Sequence, residues 1–153
     1  MTAQQTMVEK YGEPSSAYDA RWCIMWQVQQ DFPWFLEKEI FINKDFKVIL
    51  FNGFKAVEVK GLQTEIKSYD GVDCRRPIRG ANVWSMHAWN AAIDLNRVTG
   101  HMIEGVPVEK ITQQMRMGPW TQDFINCMTS AGAFFGGNFI HRPDPMHFSL
   151  MDM

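Results

Sequence analysis

Two short segments of the chain carry the residue types of a catalytic metal site. The first contains His87 and, seven residues later, Asp94. The second, near the C-terminus, contains Asp144 and, three residues later, His147. Two imidazoles and one carboxylate can hold a zinc ion while leaving a position open for water, and the second carboxylate can take a proton from that water. The residue types therefore predict metal-assisted hydrolysis.

His87, Asp94 and His147 are the predicted ligands of one zinc ion. On a strand, Asp94 shares a face with the small Ala92, which leaves room for a metal and a substrate. His147 lies in an apolar segment, where an imidazole is costly to bury unless something satisfies its nitrogens. A hydrogen-bonded His–Asp pair, or a buried structural histidine, would explain the same residues without a metal.

Asp144 is the predicted general base. It stands three residues before His147, so the two side chains can face the same site, and Pro145 stiffens the turn between them. A carboxylate there would accept a proton from the attacking water and pass it to the leaving amine. The alternative is a solvated aspartate in a turn before a proline.

The elements that position these residues are predicted from periodicity and turn signals. We predict helices at Ala17–Gln30, Phe51–Ile66, Val108–Met115 and Asp123–Ala131, and strands at Glu39–Asn43, Glu65–Tyr69, Val72–Arg76, Ala91–Leu95 and Met146–Leu150. The glycine- and proline-bearing stretch Val98–Trp120 is expected to run over the surface. Helices packed mainly on one side of a small antiparallel sheet give an α+β fold.

Composition limits the classes of partner. The 153 residues fit one domain spanning 1–153, and a net charge of -2 gives no reason to expect nucleic acid. The chain contains no apolar run of about 18 residues, so we do not expect it to insert into a membrane. The polar N-terminus lacks the layout of a secretory signal, so we expect the chain in the cytoplasm before any release to a cell wall.

The motifs resemble those of a known enzyme family. The pattern S-x-H-x-x-G-x-A-x-D followed by D-x-x-H is similar to that of the zinc D-alanyl-D-alanine carboxypeptidases and L-alanyl-D-glutamate endopeptidases, which share a fold with the hedgehog signalling domain. Further landmarks in the same order are Tyr11-Gly12-Glu13-Pro14, Arg76-Pro77-Ile78-Arg79-Gly80 and Gly136-Gly137. Many members are phage endolysins that cut the stem peptides of bacterial peptidoglycan.

The resemblance implies roles for further residues. One of Arg76 and Arg79, with Arg76 favoured, would face the site and bind a substrate carboxylate or the developing oxyanion; both are surface charges in the alternative interpretation. Other roles are expected from position in the sequence alone. Ser85 would hydrogen-bond a metal-ligating side chain or the loop backbone, Trp89 would form a wall of the substrate groove, and His141 would lie at its rim. In the alternative interpretation Trp89 belongs to the core and His141 lies in an ordinary loop.

One position departs from the family pattern, because Asn90 stands where glycine is usual. Asparagine tolerates positive φ better than most residues, so the turn is expected to survive.

The resemblance implies a zinc peptidase acting on the peptidoglycan stem peptide as a phage endolysin, and we expect a monomer. An L-alanyl-D-glutamate endopeptidase is favoured over a D-alanyl-D-alanine carboxypeptidase. The rivals are a zinc-bearing binding or structural module that does not cleave, and a virion protein that uses the same domain for entry.

Overall fold

The computed structural model describes residues 1–71 and 84–152 and has the α+β fold that the sequence predicts. The helices are α1 (Ala3–Tyr11), α2 (Ser16–Trp22), α3 (Val28–Asp31), α4 (Lys44–Val59), α5 (Arg97–Gly100), α6 (Gln113–Met117) and α7 (Gln122–Ser130). The strands are β1 (Cys23–Trp26), β2 (Ile40–Asn43), β3 (Ala92–Asp94), β4 (Phe134–Phe135) and β5 (His147–Ser149). Short 3-10 helices lie at Gln63–Glu65, Met86–Trp89, Val108–Lys110 and Gly136–Asn138. The predicted strand Val72–Arg76 lies outside the described residues.

The strands form two antiparallel sheets. One pairs β1 with β2, and the other has the order β3-β5-β4. In the second sheet Asp94 of β3 stands opposite His147 of β5. Side chains of directly opposed residues lie on the same face, with Cβ atoms about 4.5–5.5 Å apart. The register of this sheet therefore brings Asp94 of the first predicted segment next to His147 of the second.

Residues 69–71 extend this sheet beyond β3. Tyr69 bridges to Leu95, Asp70 N donates to Asp94 O over 2.9 Å, and Asp94 N donates to Gly71 O over 3.2 Å. The predicted strand Glu65–Tyr69 is wrong except at Tyr69, because the residues before Tyr69 do not form a strand.

Asn96 explains why this segment is not a regular strand. Its side-chain oxygen accepts the backbone N–H groups of Lys67 and Ser68 over 2.7 and 3.1 Å, and its amide donates to the Glu65 carbonyl over 2.6 Å. These bonds replace the ladder that a neighbouring strand would provide.

The predicted helix Ala17–Gln30 is also wrong, because a strand interrupts it. α2 ends at Trp22, and β1 then pairs with β2 before the single turn of α3. The spacing of Trp22, Met25 and Trp26 mimics a helical stripe. Pairing with a distant strand overrides that local pattern.

α4 begins earlier than the periodicity indicates. Asn43 is its N-cap, and the Asn43 side-chain oxygen accepts the backbone N–H groups of Asp45 and Phe46 over 2.8 and 3.0 Å. The turn-prone residues that follow β2 are thus the start of a helix. Gly53 lets α4 approach α7, since a Cβ there would lie 2.9 Å from the Met128 sulfur.

Two groups of buried apolar residues form the interior. The larger packs α4 and α7 against the three-stranded sheet, with Phe54, Phe124 and Phe148 at its centre. The smaller joins α1 and α2 to the turn that carries His87, and Leu150 contacts both groups. α1 was not predicted. Among the described helices none is long and apolar enough to cross a membrane.

Candidate metal centre

His87, Asp94 and His147 converge in the structure. Asp94 Oδ1 lies 3.3 Å from His87 Nε2 and 3.4 Å from His147 Nδ1. One potential ligand atom from each residue lies within 4.8 Å of the others. The imidazole rings meet edge to face, with centroids 5.1 Å apart. The three side chains that the sequence nominates as ligands therefore surround a common point.

The donor set fits a zinc ion. Two ligands on a tetrahedral metal with bonds of about 2.0–2.1 Å lie about 3.3 Å apart, which is close to the two distances from Asp94 Oδ1. That oxygen is buried and has no hydrogen bond of good geometry within the described residues. A buried polar atom without a hydrogen bond is costly, and a cation at the common point would satisfy it.

The turn that carries His87 is held from both ends. Ser85 Oγ accepts the His87 backbone N–H over 3.2 Å and caps the 3-10 helix. Asn90 ends it in the left-handed region, with φ 52° and ψ 33°. The expected positive φ at Asn90 is confirmed. The glycine-to-asparagine departure is thus accommodated by the backbone.

The N-terminal half of the chain supports the same turn. The Tyr18 hydroxyl donates to the Trp89 carbonyl, and Asn43 donates its side-chain amide to the Tyr18 oxygen over 2.8 Å. The Trp89 indole N–H donates to the Gly12 carbonyl over 2.9 Å. His87 is thereby tied to α1, α2 and the start of α4.

Asp94 carries a stable negative charge. Burial raises the pKa of its carboxyl group, but the neighbouring His147 and His87 more than offset burial and hold that pKa well below its ordinary value. An ionised carboxylate beside two imidazoles is the state in which these residues bind a divalent cation.

Asp144 has the opposite electrostatic behaviour. Burial raises the pKa of its carboxyl group to about 6, the negative charge of Asp94 adds to this, and His147, His87 and Arg142 partly offset it. One carboxylate oxygen of Asp144 is buried with no hydrogen bond within the described residues. Two nearby carboxyl groups with displaced pKa values are typical of one ligand and one proton acceptor.

Gly136 brings Asp144 and His147 into position. Its carbonyl accepts the Asp144 backbone N–H over 2.8 Å, and the Asp144 carbonyl accepts the His147 N–H over 3.0 Å. A Cβ at Gly136 would lie 2.3 Å from the Asp144 carbonyl oxygen and 2.9 Å from the His147 Cβ. Glycine is therefore required for this approach, and the Gly136-Gly137 pair was its signal in the sequence.

The other predicted residues are distributed as follows. Trp89 is fully buried with its indole bonded to Gly12, which does not fit the wall of a substrate groove. His141 is exposed and is not part of the three-residue ligand group. Arg76 and Arg79 lie outside the described residues.

Comparison with known proteins agrees with the geometry. A family model described as D-alanyl-D-alanine carboxypeptidase matches residues 79–150, just under half of the chain. The matched span contains the three candidate ligands and Asp144, and the match supports a peptidase. Searches of curated proteins and of solved structures found no match.

Proposed function

We propose that the protein is a zinc peptidase that hydrolyses an amide bond in the stem peptide of bacterial peptidoglycan. The observation that carries the proposal is the convergence of His87, Asp94 and His147 on one point, with Asp144 on the turn leading into β5. The match to a carboxypeptidase family over the same residues supports the substrate class.

The reaction divides among few side chains. His87, Asp94 and His147 would hold zinc, which when bound polarises the scissile carbonyl and makes a water nucleophilic near neutral pH. Asp144 accepts the proton of the attacking water and delivers it to the departing amine nitrogen. The Asp144 oxygen that is buried and accepts no hydrogen bond from the described part of the chain is the atom available for both transfers.

A substrate carboxylate requires a cation, and Arg76 and Arg79 remain our candidates. The motif resemblance supports this, because the family has an arginine upstream of the serine–histidine motif. Arg76→Lys and Arg79→Lys should separate the roles, because lysine does not reproduce a bidentate guanidinium contact. The variant at the cleft position should lose activity at unchanged thermal stability. If both variants stay fully active, neither arginine binds a substrate carboxylate and both are surface charges.

We favour cleavage between L-alanine and D-glutamate, in the role of a phage endolysin. The motif resemblance covers both cleavages, and the many phage endolysins among the proteins that the chain resembles support this role. The description of the matching family supports a D-alanyl-D-alanine carboxypeptidase as the second candidate.

Mass spectrometry of the products from purified peptidoglycan distinguishes the candidates. New N-terminal D-glutamate would establish the endopeptidase, and release of free D-alanine the carboxypeptidase. Both products should disappear with a chelator and with Asp144→Asn. If zinc-loaded wild-type protein released no product, the rival interpretation would hold, in which the protein is a zinc-bearing module that does not cleave.

A further inference from the structure

The segment 100–120 supports the loop that carries Asp144. We call residues 100–120 the supporting segment and residues 136–146 the base loop. Three hydrogen bonds of 2.8 Å join them: Met146 N to Gly100 O, Ile103 N to Pro143 O, and Trp120 Nε1 to Pro145 O. The stretch that the sequence indicates as a surface excursion therefore holds the C-terminal part of the base loop.

Arg116 of α6 holds the other end of the base loop. Its guanidinium donates to the carbonyls of Phe139, Ile140 and Gly137 over 2.6, 3.1 and 3.3 Å. A planar fork with several fixed donors suits convergent carbonyls, whereas an ammonium group is a single point charge. One side chain thus bonds three carbonyls within residues 137–140.

Gly137 allows α6 to approach the base loop closely. A Cβ at Gly137 would lie 2.1 Å from the Arg116 carbonyl oxygen. The backbones therefore pass without room for a side chain, and the Arg116 guanidinium reaches the loop over a short distance. This packing is a second observation, separate from the hydrogen bonds, that couples α6 to the loop.

Phe139 connects this contact to a candidate ligand. Its ring lies against the His147 imidazole, with centroids 5.6 Å apart and planes inclined by 54°. The Phe139 carbonyl accepts the shortest of the three Arg116 hydrogen bonds. A shift of this carbonyl would move the ring that limits the orientation of His147.

We propose that Arg116 is a positioning residue of the zinc site, acting on His147 through Phe139 and on Asp144 through the base loop. The consequence for catalysis rests on the proposed function. The consequence for metal binding and for loop order holds whatever substrate the protein takes. Residues that orient metal ligands commonly contribute about 10–100-fold to metal affinity or activity.

The first test measures zinc affinity by competition with a chromophoric chelator. Arg116→Ala and Phe139→Leu should each weaken zinc binding about 10-fold. If Arg116 acts through Phe139, the double variant should bind zinc about as weakly as the weaker single variant. Its loss of affinity should be much smaller than the product of the two single losses. Arg116→Lys should fall between wild type and Arg116→Ala. Arg21→Ala, which removes a guanidinium lying over Trp22 in α2, is the matched control and should bind like wild type.

Two results of this test would overturn the proposal. One is wild-type zinc affinity in folded Arg116→Ala. The other is a double variant whose loss equals the product of the single losses, which would make the two residues independent.

The second test uses metal-free protein and separates positioning from general stability. Deuterium exchange in Arg116→Ala should accelerate in peptides covering the base loop and β5, and stay at the wild-type rate in α4. Uniform acceleration across the chain would mean that Arg116 only stabilises the fold and would refute the proposal. If the alanine variant does not fold, the same exchange measurement is made on Arg116→Lys.

Hydrolysis adds a third readout. At saturating zinc, Arg116→Ala should lower kcat with little change in KM, since Arg116 is proposed to act on the base and a metal ligand. If wild-type protein cleaves no peptidoglycan, the proposed function fails, whereas affinity and exchange still decide the role of Arg116.

Discussion

Replacing Asp144 by asparagine should stabilise the metal-free protein while strongly lowering the rate of hydrolysis. Burial raises the pKa of Asp144 from 3.8 to about 6. In the unfolded chain this carboxyl group therefore loses its proton near pH 4, and in the folded protein near pH 6. Between those values the unfolded state binds fewer protons, so wild-type stability falls as the pH rises.

The size of the effect follows from the same shift. One pKa unit corresponds to about 1.4 kcal/mol, so the ionised Asp144 lowers the free energy of unfolding by about 2–3 kcal/mol above pH 6. Asparagine has nearly the same shape and no charge. Asp144→Asn should therefore be more stable than wild type by that amount at pH 8 and nearly equal to it below pH 4.

Urea denaturation in the presence of a chelator at pH 3.5, 6 and 8 measures the difference. Asp152→Asn, at an exposed position, is the control for loss of one negative charge and should match wild type at every pH. Hydrolysis by zinc-loaded Asp144→Asn should fall about 10²–10⁴-fold. A variant no more stable than wild type at pH 8, or equally stabilised at pH 3.5, would refute the electrostatic account of Asp144.

Three further predictions concern the same site. Gly136→Ala should lower activity, and it should lower the free energy of unfolding by about 2 kcal/mol or more, because the added Cβ meets the Asp144 carbonyl. Urea midpoints measure the change in stability, and a neutral substitution would contradict the close approach. Asn90→Ala should cost about 1–2 kcal/mol by the same measurement and Asn90→Gly less, since the left-handed backbone strains alanine; equal costs would argue against strain. Zinc at 100 times its Kd should raise the free energy of unfolding by about 2.7 kcal/mol in wild type and by far less in His147→Ala, measured by urea denaturation; equal gains would place the metal elsewhere.

The part of the site that sequence could predict is the part encoded by local pattern. β3 and β5 lie in short segments flanked by apolar residues, so the alternation of side chains already places Asp94 beside small residues and His147 in the interior. Asn90 was predictable because few residues tolerate positive φ. β2 and α7 were likewise found close to their observed bounds, and the α+β class followed from this set of elements.

The rest depends on contacts between distant residues. β1 has helical spacing and becomes a strand through pairing with β2. α1 buries few side chains, Met7 and Tyr11 in particular, so its periodicity is weak and its clearest signal is the Thr2–Gln5 capping box. Arg116 contributes through three carbonyls of a loop 21 to 24 residues away, and no local pattern reports such bonds.

The most direct test of the central claim is zinc X-ray absorption on protein loaded with one equivalent of metal. We expect nitrogen and oxygen ligands at about 2.0–2.1 Å with the scattering of two imidazoles, and loss of one imidazole in His147→Ala. Sulfur at about 2.3 Å, or a spectrum unchanged in His147→Ala, would show that zinc binds elsewhere and would contradict the assignment of His87, Asp94 and His147 as the metal centre.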